Sequence, residues 1–353
     1  MRDQSLTCSL QFWRMGLNQL RWICTPPSDA IIVPFAIPVQ TRELPGILKD
    51  VDQQENGTRI IEAEWIKAPT PSTPIDQQQH HHQNKQYPYK RFWHRYLPYT
   101  RPELMSTPCD TTSNAKEEKV VLFIHGGGYV AMSCETHRYL TYKISKATGR
   151  NVLAFNYRLA PEVKFPGALY DTVQAYLHLI DDLHMDPKHI TIMGDSAGGG
   201  LCMALSLYLR DHGAPLSEAM VLLSPWVDLT FGFPSWANAE AHDCLPPKPA
   251  CWDKNPAMLY LGKENHEELC RHPYVSPIYA SNFNDLPATL IQSGGCEALR
   301  DEIVELVRKL KDSRMSTIVQ HEQYEDMPHV FQLFPLSQSQ KAIDSIGRFV
   351  RSL

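Results

Sequence analysis

A serine flanked by glycines, in Gly194-Asp195-Ser196-Ala197-Gly198, is the group in this chain best placed for covalent chemistry. The residues before it, Ile190-Thr191-Ile192-Met193, read as a buried strand. Those after it, Leu201 to Leu209, are apolar nearly all round and read as a central helix. A strand that turns directly into a helix holds its apex residue in a cramped backbone conformation that only small flanking residues permit. Ser196 at that apex is pushed into the open. The N–H of Ala197 begins the helix without an intrahelical partner, so it can stabilise negative charge on an oxygen bonded through the serine. The bland alternative is a glycine-rich turn that holds a serine by chance.

A serine hydroxyl is a weak nucleophile at neutral pH unless a base removes its proton, and the base must itself be held by an acid. Both are expected after the serine, the acid first. Gly294 to Asp301 lies just past a strand-like run and contains two carboxylates, Glu297 and Asp301. Met327-Pro328-His329-Val330-Phe331-Gln332 follows the next such run and brings His329 as the base. Upstream, His125-Gly126-Gly127-Gly128-Tyr129 directly follows Val120–Ile124. Glycines there let backbone N–H groups approach a ligand, so Gly127 and Gly128 join Ala197 as candidate donors to an oxyanion. The carboxyl ends of strands are where an open α/β sheet presents ligands.

These groups need a frame, and the chain from Lys119 onward supplies one. Continuous apolar runs at Val120–Ile124, Asn151–Phe155, Ile190–Met193, Met220–Leu223, Ala288–Gln292 and Thr317–Val319 predict strands. Helical spacing links Leu169, Val173, Tyr176, Leu177 and Ile180, then Ile303, Leu306, Val307 and Leu310 within Asp301–Asp312, and finally Ile343, Ile346, Val350 and Leu353. The alternation predicts an α/β fold with a doubly wound, mostly parallel sheet and helices on both faces. Arg59–Ile66 reads as a first strand. Residues 230–282 break the rhythm with irregular, Pro- and aromatic-rich sequence, as a lid or cap would. Residues 6–24 show amphipathic helical spacing. Packing on the protein's own body is the plain reading, and docking on a membrane surface through Trp13, Trp22, Arg14 and Arg21 is the alternative. Residues 69–87 are Pro/Thr- and then Gln/His-rich, with nothing to bury, and are expected to form a disordered insertion. His80-His81-His82 within it reads as solvated polar sequence, not as a metal site.

With 353 residues, 43% of them hydrophobic, and a formal net charge of −5, the composition is that of a globular protein without a bias toward polyanions. Nucleic acid is not an expected partner. Nine cysteines without a C-x-x-C argue against a zinc site or a disulfide scaffold. Cys244, Cys251 and Cys270 leave room for one bridge, but ordinary thiols in a reducing compartment are the plain reading. A cytoplasmic location is expected, with peripheral membrane or endoplasmic reticulum association through residues 6–24 as the alternative. No run approaches the ~20 apolar residues of a membrane helix. The oligomeric state is not legible.

Five blocks in this order resemble the hormone-sensitive-lipase family of α/β-hydrolases: His125-Gly126-Gly127-Gly128, Tyr157-Arg158-Leu159-Ala160-Pro161-Glu162, Gly194 to Gly199, Glu297 to Glu302, and Met327 to Phe331. The resemblance spans roughly residues 119–353. It implies an α/β-hydrolase domain over 51–353, capped by an N-terminal segment, residues 1–50, and by the 230–282 insertion. It also implies a small-molecule ester substrate, an acyl-enzyme, and no metal or cofactor; a helix over residues 6–24 lying above the serine would close one side of the acyl pocket, so esters of short to medium acids are expected. Ser196 then corresponds to the nucleophile, His329 to the base, and Gly127, Gly128 and Ala197 to the oxyanion donors. The family's acid is commonly aspartate; the matching residue here is Glu297, one methylene longer, with Asp301 as the alternative. Tyr129, Trp226, Phe231 and Trp252 are candidates to line an acyl pocket, or else they are the cap's own core. An amidase or deacetylase with the same triad remains an alternative. So does a non-catalytic small-ligand receptor on this fold, as in the plant gibberellin receptors, which lack the histidine that His329 supplies.

Overall fold

The computed structural model describes residues 16, 25–69, 118–238, 243–248, 254–313 and 318–353. Short apolar runs without a polar side suit strands covered on both faces, and four are fully buried: β3 (Val120–Ile124), β4 (Asn151–Phe155), β5 (Ile190–Asp195) and β6 (Ala219–Leu223). With β1 (Ile31–Pro38), β2 (Ile60–Lys67), β7 (Ala288–Gly294) and β8 (Val319–Tyr324) they form one sheet in the order β1-β2-β4-β3-β5-β6-β7-β8. The strands from β3 onward pair parallel, while β1 pairs with β2, and β2 with β4, antiparallel.

Both edges differ from the sequence expectation. The strand around Arg59–Ile66 is the second, not the first, because Ile31–Pro38, expected within the cap, forms the sheet's outer edge. Pro34 and Pro38 masked it; proline cannot serve a central strand but is tolerated at an edge. At the other edge, β8 runs to Tyr324, well past the apolar residues expected to form it, and Thr317 lies outside the described residues. Val-Gln-His-Glu-Gln-Tyr is only half-buried, so this strand carries no apolar run to detect.

Alternate side chains of the central strands feed two cores. Leu122, Ile124, Ile192 and Leu222 pack with helices α3 (Gly167–Leu177), α4 (Ala197–Asp211) and α8 (Arg300–Lys311). Val121, Phe123, Met193 and Val221 pack on the other face with α2 (Arg138–Thr148) and α9 (Ser337–Arg351). A short α1 (Lys49–Gln53) precedes β2. In α9, Ile343, Ile346 and Val350 face inward as spaced, but Leu353 lies beyond the helix end and is exposed. Leu177 and Ile180 are only partly buried, since α3 passes into a π turn at His178–Asp182.

Among its described residues, the chain between β6 and β7 carries three short α-helices, α5 (Ser235–Asn238), α6 (Pro256–Leu261) and α7 (His266–Leu269). Asn255 caps α6, its side-chain oxygen accepting from the N–H groups of Ala257 and Met258. No helix of the described residues is long and apolar enough to cross a membrane. The amphipathic residues 6–24 and, apart from Pro69, the Gln/His tract lie outside what is described, Gly16 excepted.

Candidate active site

Ser196 sits between β5 and α4 with φ +52° and ψ −120°, a conformation that costs on the order of 1–3 kcal/mol and persists only where its surroundings enforce it. Here they do. A Cβ at Gly194 would lie 2.5 Å from the Gly198 carbonyl oxygen, and one at Gly198 would lie 2.1 Å from that of Ile124. The Ser196 N–H donates to Leu223 O at 2.9 Å, and its carbonyl accepts from Gly200 N at 3.0 Å and Trp226 N at 2.9 Å. Backbone from β3, β6 and α4 thus fixes where the hydroxyl points.

It points at a histidine. Ser196 Oγ lies 2.9 Å from His329 Nε2, and His329 Nδ1 lies 2.9 Å from Glu297 Oε2. Glu297 Oε1 accepts from the Gly294 N–H at 3.0 Å, which aims the carboxylate from the end of β7. The partners assign the tautomer: Nδ1–H donates to the carboxylate and Nε2 accepts from the serine. All three side chains are buried, and Ser196 retains 9% exposure. Burial disfavours a charged imidazole, but the Glu297 hydrogen bond and charge outweigh it and raise His329 above its ordinary value. Asp301 is not part of this chain of bonds; its carboxylate accepts from Arg300 Nε at 2.9 Å.

The glycine loop after β3 comes alongside. Gly127 has φ +109°, and a Cβ there would lie 2.1 Å from Ala131 O, so only glycine fits; Gly128 has φ +62°. Among the described residues no acceptor meets the N–H of Gly127, Gly128 or Ala197. The loop is tied to the serine turn by Asp195, whose carboxylate accepts from Gly126 N at 3.0 Å and faces His137 Nε2 at 3.3 Å. Burial works against the Asp195 charge, and His137 more than offsets it, holding the carboxyl below its usual range. His125 stacks on Tyr157 with ring centroids 4.3 Å apart, and burial with the neighbouring His137 pushes it down to about 4, so it stays neutral.

The chain is similar to known proteins in both sequence and fold. A family profile described as alpha/beta hydrolase fold matches residues 121–333. An acetyl-hydrolase of Streptomyces hygroscopicus is 34% identical over 241 residues, which cover 67% of this chain and 77% of that protein. The crystal structure of an esterase from the bacterial hormone-sensitive lipase family superposes with TM-score 0.69 at 30% identity, covering 96% of this chain and 90% of the other. A crystal of the protein EstE5 soaked with p-nitrophenyl butyrate gives TM-score 0.70 at 29% identity, over 97% and 90%. This chain belongs to the hormone-sensitive-lipase family of α/β-hydrolases.

In this hydrolase the aromatic candidates pack on one another. Tyr129 stacks on Tyr260 at 4.0 Å and 3°, Trp226 leans on Tyr129 and Phe231, and Phe231 meets Trp236 edge-on at 4.6 Å. Tyr129, Trp226 and Phe231 are buried, forming a continuous row from the glycine loop into the insertion between β6 and β7. Trp252 lies outside the described residues. Cys244 and Cys270 are free thiols, so neither makes the bridge considered for them, and Cys251 also lies outside.

Sequence reading missed several supports of the hydrolase site. Glu302, fully buried, accepts from the N–H groups of Val227 and Asp228 at 2.9 and 3.0 Å and so holds the loop after β6. A glutamate on the inward face of an amphipathic helix was the available signal. Asp243, from the insertion between β6 and β7, accepts from Ala298 N at 2.8 Å and His329 N at 2.7 Å. Nothing local in the sequence marks it.

Proposed function

We propose that this carboxylic ester hydrolase works through an acyl-enzyme on esters of short to medium acids, with Ser196 as nucleophile, His329 as general base and acid, and Glu297 as the acid that orients it. Ser196 Oγ attacks the ester carbonyl carbon as its proton passes to His329 Nε2. The carbonyl oxygen gains the negative charge and is met by the N–H groups of Gly127, Gly128 and Ala197. The tetrahedral species collapses, the carbon–alkoxy bond breaks, and His329 gives its proton to the leaving alcohol. Water, deprotonated by the same nitrogen, then attacks the acyl carbon and releases the acid, and the proton returns to Ser196. Glu297 stabilises the imidazolium formed in both halves.

The observation that carries this reading is the unbroken 2.9 Å and 2.9 Å relay from Ser196 through His329 to Glu297. The acyl preference is supported by the near-burial of Ser196, which leaves little open space at the hydroxyl. Relatives named for acetyl hydrolysis, and a neighbour soaked with a butyrate ester, point the same way. Each methylene entering an apolar pocket adds up to ~0.8 kcal/mol of binding until the chain meets a wall.

A series of p-nitrophenyl esters tests the preference: kcat/KM rises from acetate, peaks at a short or medium chain and falls for long ones. Mass spectrometry of enzyme quenched during turnover tests the mechanism, with the acyl increment expected on the peptide containing Ser196. An increment on another residue, or a rate that climbs steadily to long chains, would contradict the proposal.

A further inference from the structure

Glu297 and His329 hang from different strands, and the sheet stops short of both. The last registered pair of β7 and β8 is Gly294 with Tyr324. Two backbone bonds carry the pairing onward, Gly295 N to Tyr324 O at 2.8 Å and Cys296 N to Met327 O at 3.1 Å, and end one residue before Glu297. The next tie comes from the insertion between β6 and β7. Asp243 Oδ2 accepts from the N–H of Ala298, immediately after the acid, at 2.8 Å, and Asp243 Oδ1 accepts from the N–H of His329 itself at 2.7 Å. Its neighbour Cys244 donates its S–H to the His329 carbonyl at 3.3 Å. Both main-chain polar groups of His329 are therefore held by the cap insertion and not by the sheet.

We infer that Asp243 is a positioning residue for the acid–base pair: by joining the main chain beside Glu297 to that of His329, it sets their separation and makes the relay depend on this part of the cap insertion being seated. The inference rests on the serine-hydrolase reading above. A carboxylate suits the task because it accepts at both oxygens, and here both partners are N–H donors. An amide at this position has the same shape but turns one NH₂ toward a donor, leaving one N–H unmet. The Asp243 charge also favours the imidazolium, adding to the effect of Glu297.

The test compares Asp243→Asn and Asp243→Ala with Ser196→Ala, reading p-nitrophenyl butyrate kinetics, melting temperature and the low-field proton resonance of His329 Nδ1–H in nitrogen-15-labelled protein. Ser196→Ala is expected to abolish turnover while keeping that resonance. Asp243→Ala is expected to lower kcat on the order of 10²-fold, the loss that a misplacement of about 1 Å produces. Its KM should stay within about twofold, since the group acts on the chemical step and not on binding. Asp243→Asn should fall between this and the wild type, and in both Asp243 variants the Nδ1–H resonance should shift or broaden. If Asp243→Ala does not fold, the isosteric Asp243→Asn carries the test alone. The positioning role is overturned if the folded variants keep wild-type kcat and an unchanged resonance, or if only KM or melting temperature moves. In those cases the loss of turnover in Ser196→Ala would leave the serine mechanism standing. Turnover that survives Ser196→Ala would overturn both.

Discussion

Around Ser196 the atoms that enforce position are backbone: the Ile124 and Gly198 carbonyls crowd the flanking glycines, and Leu223 O holds the serine N–H. Around Glu297 and His329 the corresponding atoms belong largely to side chains. Asp243 holds two N–H groups, and Ser224 Oγ accepts from Val330 N at 3.1 Å. A site wall made of packed backbone is damaged by adding volume, and the damage is to folding. A wall made of side-chain hydrogen bonds is damaged by removing acceptors, and the damage is to rate.

Substitutions on each side sharpen this contrast. The largest effect belongs to Ser196→Ala, which removes one oxygen and leaves the backbone turn untouched. Turnover is expected to drop on the order of 10⁶-fold while the melting temperature stays near wild type, measured by ester hydrolysis beside thermal unfolding. Glu297→Gln comes next, with a loss of about 10⁴-fold in kcat, because the amide favours the wrong imidazole tautomer and leaves the imidazolium unsupported. Its pH profile moves as well. In the wild type the base works only when neutral and His329 is raised above 6.5, so the acidic limb of kcat lies above that pH. Without the carboxylate, burial dominates and the limb shifts to lower pH, which a pH series of residual rates reads directly.

Gly198→Ala probes the other wall. Its added methyl would need to overlap the Ile124 carbonyl, so a loss of about 3 kcal/mol or more is expected in urea titration, or failure to fold. A variant that folds with normal stability would show that the turn yields. The smallest effect is expected from Asp301→Asn. Among the described residues its carboxylate pairs with partly exposed Arg300 alone, so kcat and stability should each change by less than about 0.5 kcal/mol. A large rate loss there would mean that Asp301, not Glu297, serves the histidine.

The same contrast explains what could be read from the chain. Ser196, Gly127 and Gly128 announce themselves because backbone crowding demands glycine at fixed, short spacings. His329 follows from strand ends in order, given a nucleophile that needs a base; the preceding strand end offers both Glu297 and Asp301, and it is the resemblance to the family's block that favours Glu297. Asp243 gives no such signal: its partners stand 55 and 86 residues away, and nothing in its own neighbourhood requires a carboxylate. The tie of His137 to Asp195 spans 58 residues and was missed for the same reason. In the fold, the central strands were legible from continuous apolar runs, whereas β1 was hidden by its prolines and β8 by its half-polar surface. Edge strands need not bury both faces, and that removes the pattern by which strands are recognised.

One connection has a bearing on how such enzymes diverge. Strands β6 and β7 lie side by side, parallel and in register from Ala219 with Ala288 to Leu223 with Gln292. The chain that departs from one and rejoins the other can grow, shrink or change its residues without shifting either strand, since closure cost rises only logarithmically with length. Inheritance can therefore vary this segment while the sheet beneath is kept. The tolerance has one local bound. A descendant that rewrites the insertion must still deliver an acceptor to the amides of Ala298 and His329, or supply another means of holding them.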